Sequence, residues 1–196
     1  MVTLAKTEHV TIKPEIVENI GRKLVAQRGS SEAWDTAIDF LNYKSFLNVS
    51  LSVAVNSVMP TGILNTKYGM RAPHGIGPPR FTVAGAVPEG QAAQLNVIGE
   101  PDRNTPLGND WIIADGGGLV IDNMQLKKVI FRNVYISYDG GPIHMQDVYF
   151  MNCVFQVRQQ SNGERFAFAV LSPPPATTLV TPSESESAAL FLQSTH

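Results

Sequence analysis

With only one cysteine, Cys153, the chain has no internal disulfide framework and no cysteine-based zinc site. Its neighbours Val148, Phe150 and Phe155 mark Cys153 as a buried, inert thiol. Charge is almost as scarce. Charged residues are 16% of the 196, and the formal net charge of -2 leaves no electrostatic footprint for nucleic acid or an acidic membrane. The densest basic group, Lys127, Lys128 and Arg132, is read as a solvated strand face. A clean apolar run is missing too. Residues 45–66 carry no charge, but Asn48, Ser50, Ser52, Asn56, Ser57, Pro60 and Asn65 interrupt them, which argues against a spanning helix. Residues 1–14 have charges and a histidine where a signal peptide has an apolar stretch, so a cytoplasmic location is expected, with no membrane association. Gly75-Ile-Gly77 runs into prolines and Asp115-Gly-Gly-Gly118 runs into a strand, so neither is a phosphate-cradling loop. With no two-histidine metal motif and no nucleophile elbow, no metal, no cofactor and no nucleic-acid partner are expected.

Glycine and proline, 16 and 13 residues, favour strands and turns over long helices. Two helices are nevertheless expected near the N-terminus. Over 14–28, Pro14 suits the first turn, Glu15 and Glu18 precede Arg22, Lys23 and Arg28, and Ile16, Val17, Ile20 and Leu24 form an apolar stripe. Gly29 stops this helix. A second starts at Ser30 or Ser31 and runs to 41, with Trp34, Ile38 and Leu41 as its stripe. The period then changes. Val49, Leu51, Val53 and Val55 alternate with Ser50, Ser52, Ala54 and Asn56 as a strand does, and short strands are expected at 81–87 and 93–98 in the glycine- and proline-punctuated stretch 60–110.

The most informative segment is 119–157. Leu126-Lys-Lys-Val-Ile-Phe-Arg-Asn-Val-Tyr-Ile136 aligns with Met145-Gln-Asp-Val-Tyr-Phe-Met-Asn-Cys-Val-Phe155, pairing Val129 with Val148, Phe131 with Phe150 and Asn133 with Asn152. Self-similarity near twenty residues built from short β-rich runs predicts stacked coils. In each copy the alternation slips at the asparagine, a residue tolerant of left-handed backbone, which predicts a corner there with Asn133 and Asn152 forming a side-chain ladder. On these residues the segment resembles the right-handed parallel β-helix proteins, whose pectin-lyase-like members use asparagine ladders at such turns. It also looks like uncharacterised bacterial proteins with the same Lys-x-Val-x-Phe-x-Asn-Val motif. The resemblance implies a fold and no chemistry. The expectation is a mainly β protein: a short parallel β-solenoid with two N-terminal α-helices. A single domain would span 1–172, with helices over 14–41, a β-rich part over 46–110 and coils over 119–157. Proline-rich and serine-rich composition then makes 173–196 a flexible C-terminal tail, with the apolar patch Ala188-Ala-Leu-Phe-Leu192 inside it.

No catalytic residues emerge. Asp115, Asp122, Asp139, Asp147 and Glu164 do not fall at repeat-equivalent outward positions, as a paired general acid and base would require, and His144 and His74 have no visible orienting partner. The outward-facing strand positions are more telling. Ile130, Tyr135, Tyr149, Met151 and Val154 are too apolar for a freely solvated sheet, so something must cover them, either the N-terminal helices or a second chain. They are the interface candidates. The expected function is a non-catalytic binding or assembly protein that forms a homo-oligomer or takes a protein partner. The alternative is a small carbohydrate-active enzyme of the lyase or glycoside hydrolase type.

Overall fold

The structure is a computed structural model that describes residues 12–27, 29–48, 63–66, 71–84, 111–173 and 176–182. The strands expected at 49–55 and 93–98, and the apolar patch 188–192, lie outside the described residues.

Three helices and nine strands are described. The helices are α1 (Pro14–Val25), α2 (Ser31–Leu47) and α3 (Ser161–Val170). The strands are β1 (Ile63–Thr66), β2 (Arg80–Ala84), β3 (Trp111–Asp115), β4 (Gly118–Val120), β5 (Met124–Arg132), β6 (Tyr135–Tyr138), β7 (Ile143–Met151), β8 (Val154–Val157) and β9 (Thr177–Thr181). They build a six-stranded sheet in the order β2-β3-β5-β7-β9, with β1 also on β5, and a three-stranded sheet in the order β4-β6-β8.

The solenoid expected from the repeat is not the fold. β3, β5 and β7 are parallel, as are β4, β6 and β8, but β1, β2 and β9 join the larger sheet antiparallel. The result is a mixed sheet beside a small parallel one, neither of them closed or curled; the two N-terminal helices are present, and among the described residues a third, α3, joins them. The reason lies in how little of the chain repeats. Phe131 lies opposite Phe150 in the register aligned above, whereas Ala114 is opposite Phe131 at a shorter spacing. On both flanks of the large sheet the chain turns back antiparallel instead of adding another turn.

Between the sheets lies the core. Leu119, Ile136 and Phe155 come from the small sheet, Ala114, Phe131 and Phe150 from the large one, and Phe166 of α3 joins them, all at most 4% exposed. Phe131 and Phe150 stack with ring centroids 5.4 Å apart, and Phe155 meets Phe150 edge-on at 5.2 Å. Aromatic pairs in such geometry add to the area they bury.

A second corner sits earlier in the same strands. Lys128 and Asp147 both have positive φ, 53° and 55°, and both are skipped in the β5–β7 pairing. One extra residue in each strand lets Leu126 and Val129, three apart, both point inward, as do Met145 and Val148.

The helices differ from the sequence reading in extent and phase. Ser30 caps α2 by accepting from Ala33 N at 3.2 Å, and α2 runs on to Leu47. In α1 the buried residues are Val17, Gly21 and Val25, while Ile16 and Ile20 are 46% and 41% exposed. Gly21 explains the shift: a Cβ there would come within 2.8 Å of Leu171 Cδ2, so the glycine is the helix's contact face. Lys44 is buried against Glu18 at 2.8 Å and donates to Ser172 O at 2.7 Å, tying α2 to α1 and to the end of α3. Burial lowers the Lys44 pKa, against the raising effect of Glu18. Part of the segment read as a flexible tail is ordered in β9, where Thr181 Oγ1 accepts from Ile143 N at 2.8 Å.

Candidate interaction surface

The five interface candidates separate onto two faces. Ile130 is paired with Tyr149, and Met151 sits opposite Arg132, on the outer side of the large sheet. Ile130 and Met151 are only 5% and 3% exposed, with Ile113 and the half-buried Tyr149 packed against them. This chain therefore covers that patch by itself. Tyr135 and Val154 are paired with each other on the small sheet, pointing away from the core.

The small sheet's outer face is graded. Gly118, Tyr135 and Val154 form one row across β4, β6 and β8. Gly118 is buried, Tyr135 half-buried and Val154 49% exposed. At the β4 end the cover comes from 71–80, whose Pro73 and Ile76 would lie within 2.9 Å of any Cβ on Gly118. Gly118 N donates to Gly77 O at 2.8 Å and Val120 N to Arg71 O at 2.8 Å. At the β8 end the face is open. Tyr135 Oη donates to Gln156 Oε1 at 2.7 Å, which holds the ring across the strands.

The edge of β8 is closed by a different device. Along it, α2 offers side chains where a further strand would pair. Ser45 Oγ accepts from Cys153 N and Asn42 Oδ1 from Phe155 N, both at 2.8 Å, and Trp34 Nε1 donates to Val157 O at 3.0 Å. The small sheet is thus shut to strand addition at β8 while its face stays open.

Polar groups at the corners serve structure. Asn152 Nδ2 donates to Asn133 Oδ1 at 2.8 Å, and Asn133 Nδ2 to Asp115 Oδ1 at 3.2 Å. Both asparagines have positive φ, 57° and 50°, which this residue type accepts more readily than most. Asp115 also pairs with Arg132 at 2.6 Å, and that hydrogen bond, ahead of the Asn133 contact, lowers its pKa. Asp122 accepts from Asp139 N at 2.9 Å and Gly141 N at 2.5 Å, so it caps the turn after β6. Burial pushes the Cys153 thiol up to about 11 and the Tyr138 hydroxyl up to about 12. His74 and His144 are both exposed. Among the described residues, no group of three His, Cys, Asp or Glu is placed to hold a metal ion, and no helix is long and apolar enough to cross a membrane.

Sequence reasoning missed an open groove of about 560 Å³ between α1, α3 and β9, lined by Val25, Phe168, Ala169 and Leu179 with Glu164 and Arg165 at its rim. The clue was the Phe166, Ala167 and Val170 spacing of α3, set in a segment that opens on polar residues and Gly163. The chain matches no family model, no curated protein and no solved structure.

Proposed function

We propose that this chain is a non-catalytic binding or assembly protein that associates with further copies of itself through the outer face of the small sheet. The observation that carries the reading is Val154, half exposed on a strand face beside the in-register Tyr135. A face of this kind gains by being covered, since an apolar side chain of Val154's size gains about 1.5–3 kcal/mol between full exposure and full burial, of which Val154, 49% exposed, has roughly half still to gain. The described rows across it, Gly118-Tyr135-Val154 and Val120-Ser137-Gln156, contain no charge. Two copies therefore meet there without like-charge repulsion, which suits a self-complementary contact. Tyr135, held by Gln156, is ordered before binding and gives up little side-chain freedom. A cytoplasmic location is part of the proposal, supported by the unpaired, buried Cys153.

Of the carboxylates the enzyme alternative would draw on, two are held in structural contacts. Asp115 is held by Arg132 and Asn133, and Asp122 by two backbone N–H groups. Sedimentation of the purified chain over a wide concentration range tests the proposal. The average mass rises with concentration and does not fall when salt is raised, because the contact is apolar and uncharged. A single monomeric species at every concentration overturns it.

A further inference from the structure

The strand β9 is a second place where the sheet system meets solvent, and it differs from the edges of the small sheet. The edges of β4 and β8 are occupied, by Arg71 and Gly77 carbonyls in one case and by Ser45, Asn42 and Trp34 side chains in the other. β9 pairs with β7 on one side and ends the large sheet; among the described residues, no strand pairs with its other side. Natural edge strands are usually blunted by lysine, proline, an inward charge or a covering element. Thr177-Thr-Leu-Val-Thr181 has no charged residue and no proline, and three of its residues are β-branched threonines. Val180 is 63% exposed, the highest among the exposed large apolar side chains described, and Thr178 is also exposed.

The strand is held ready. Thr177 and Thr181 are each 3% exposed, and Thr181 Oγ1 lies 3.2 Å from Tyr138 Oη. Leu179 packs against the core from the same strand, and Asn162 at the start of α3 donates to Pro182 O at 3.1 Å just beyond it. An edge fixed on both flanks has already lost the freedom that a partner strand would otherwise have to remove.

We propose that β9 pairs antiparallel with β9 of a second copy about a two-fold axis at Leu179, so that the large sheet continues from one chain into the other. The occupant follows from the strand's own sequence. With Leu179 on the axis, Thr178 of one copy lies opposite Val180 of the other, and Thr177 opposite Thr181. Every cross-strand pair is thus uncharged, with a β-branched residue on each side except at the central leucines. The contact rests on the self-association reading in requiring a second copy, and it uses a different surface from the small-sheet face. Two such isologous contacts per chain produce an open row of copies or a closed ring of four or more, where one alone produces a pair.

The test is charge exchange at the edge. The double variant Thr178→Lys/Val180→Lys sets lysine opposite lysine, and Thr178→Glu/Val180→Glu sets glutamate opposite glutamate. Each alone should weaken the β9 contact at least tenfold by sedimentation and leave assemblies no larger than pairs. An equimolar mixture of the two should restore the wild-type mass, with circular dichroism unchanged throughout. If the wild type assembles and both variants assemble equally well, the β9 contact is overturned and self-association stands. Loss of assembly in both variants without recovery in the mixture also overturns it. If the wild type is monomeric at every concentration, both this contact and the self-association reading fall.

Discussion

Two strand faces carry apolar residues on the side away from the core, and they meet opposite fates. On the large sheet, Ile130 and Met151 are almost completely covered, with Ile113 and Tyr149 beside them. On the small sheet, Val154 is half exposed and Tyr135 is only partly covered. Both faces come from the same 19-residue alignment, and in each an apolar residue stands where a solvated strand would have Thr, Lys or Glu. Alternation fixes which face a residue is on, but not what lies over that face. The cover depends on residues far away in sequence, as 71–80 shows at Gly118.

The sharpest way to separate the two faces is by truncation. Phe131→Ala and Phe150→Ala set the interior reference and should each cost about 3–5 kcal/mol in urea unfolding. Their effects should not add, because the rings are in contact. Ile130→Ala should fall close behind, at about 2–5 kcal/mol, since the residue is buried although it points away from the main core. Val154→Ala should stay within about 0.5 kcal/mol in the dissociated chain, as exposed surface changes do. Equal costs for Ile130→Ala and Val154→Ala would erase the comparison.

Much of the strand pairing was legible in the sequence because apolar residues recur in step. Val129 and Val148, Phe131 and Phe150, and Asn133 and Asn152 meet as the alignment places them. The overall architecture was not. A forty-residue pattern says nothing of the antiparallel strands that flank it, and it is these that make the large sheet mixed. The corner at Lys128 and Asp147 leaves an apolar trace, the three-residue steps Leu126 to Val129 and Met145 to Val148, but no asparagine marks it as one marks the corner at 133 and 152. The α1 face was legible only in part: Val17 is buried and Leu24 packs against the core, whereas Ile16 and Ile20 are exposed. Ile16 and Ile20 look like a buried stripe, yet the close contact is made at Gly21, which has no side chain to advertise it. Of the interface candidates, the pairs were legible and the cover over Ile130 and Met151 was not.

Raising the pH probes the covered side of the molecule. Cys153 and Tyr138 have folded pKa values above their usual 9.0 and 10.0, reaching about 11 and about 12. In both cases the folded chain keeps a proton that the unfolded chain gives up. Their contribution is full below pH 9, and stability should fall as the pH rises from about 9 to about 12. A Cys153→Ala variant should remove the part of this slope that lies between 9 and about 11, read from urea midpoints across the range. The burial that raises the thiol pKa should also keep Cys153 unreactive to thiol reagents in the native state at neutral pH.

The smallest effect belongs to the exposed corner. Asn133→Asp keeps an acceptor for Asn152 but loses the donor to Asp115 and sets two carboxylates against each other. It should cost about 0.5–1.5 kcal/mol in urea unfolding at pH 7. Asn133→Ala, with no like charge, should cost less unless the positive φ is the larger burden. Equal stability of Asn133→Asp and the wild type would mean that the corner contributes no electrostatic coupling.

The most direct test of the account compares one glutamate on each face, Met151→Glu and Val154→Glu, with sedimentation and thermal unfolding measured on both. Met151 is 3% exposed, so a charge there should cost about 3–5 kcal/mol and lower the melting temperature sharply. Val154→Glu should melt as the dissociated wild-type chain does and sediment as a smaller species than the wild type. The contradicting result is the reverse: a Val154→Glu chain that assembles normally, beside a Met151→Glu chain that is fully stable and dissociated.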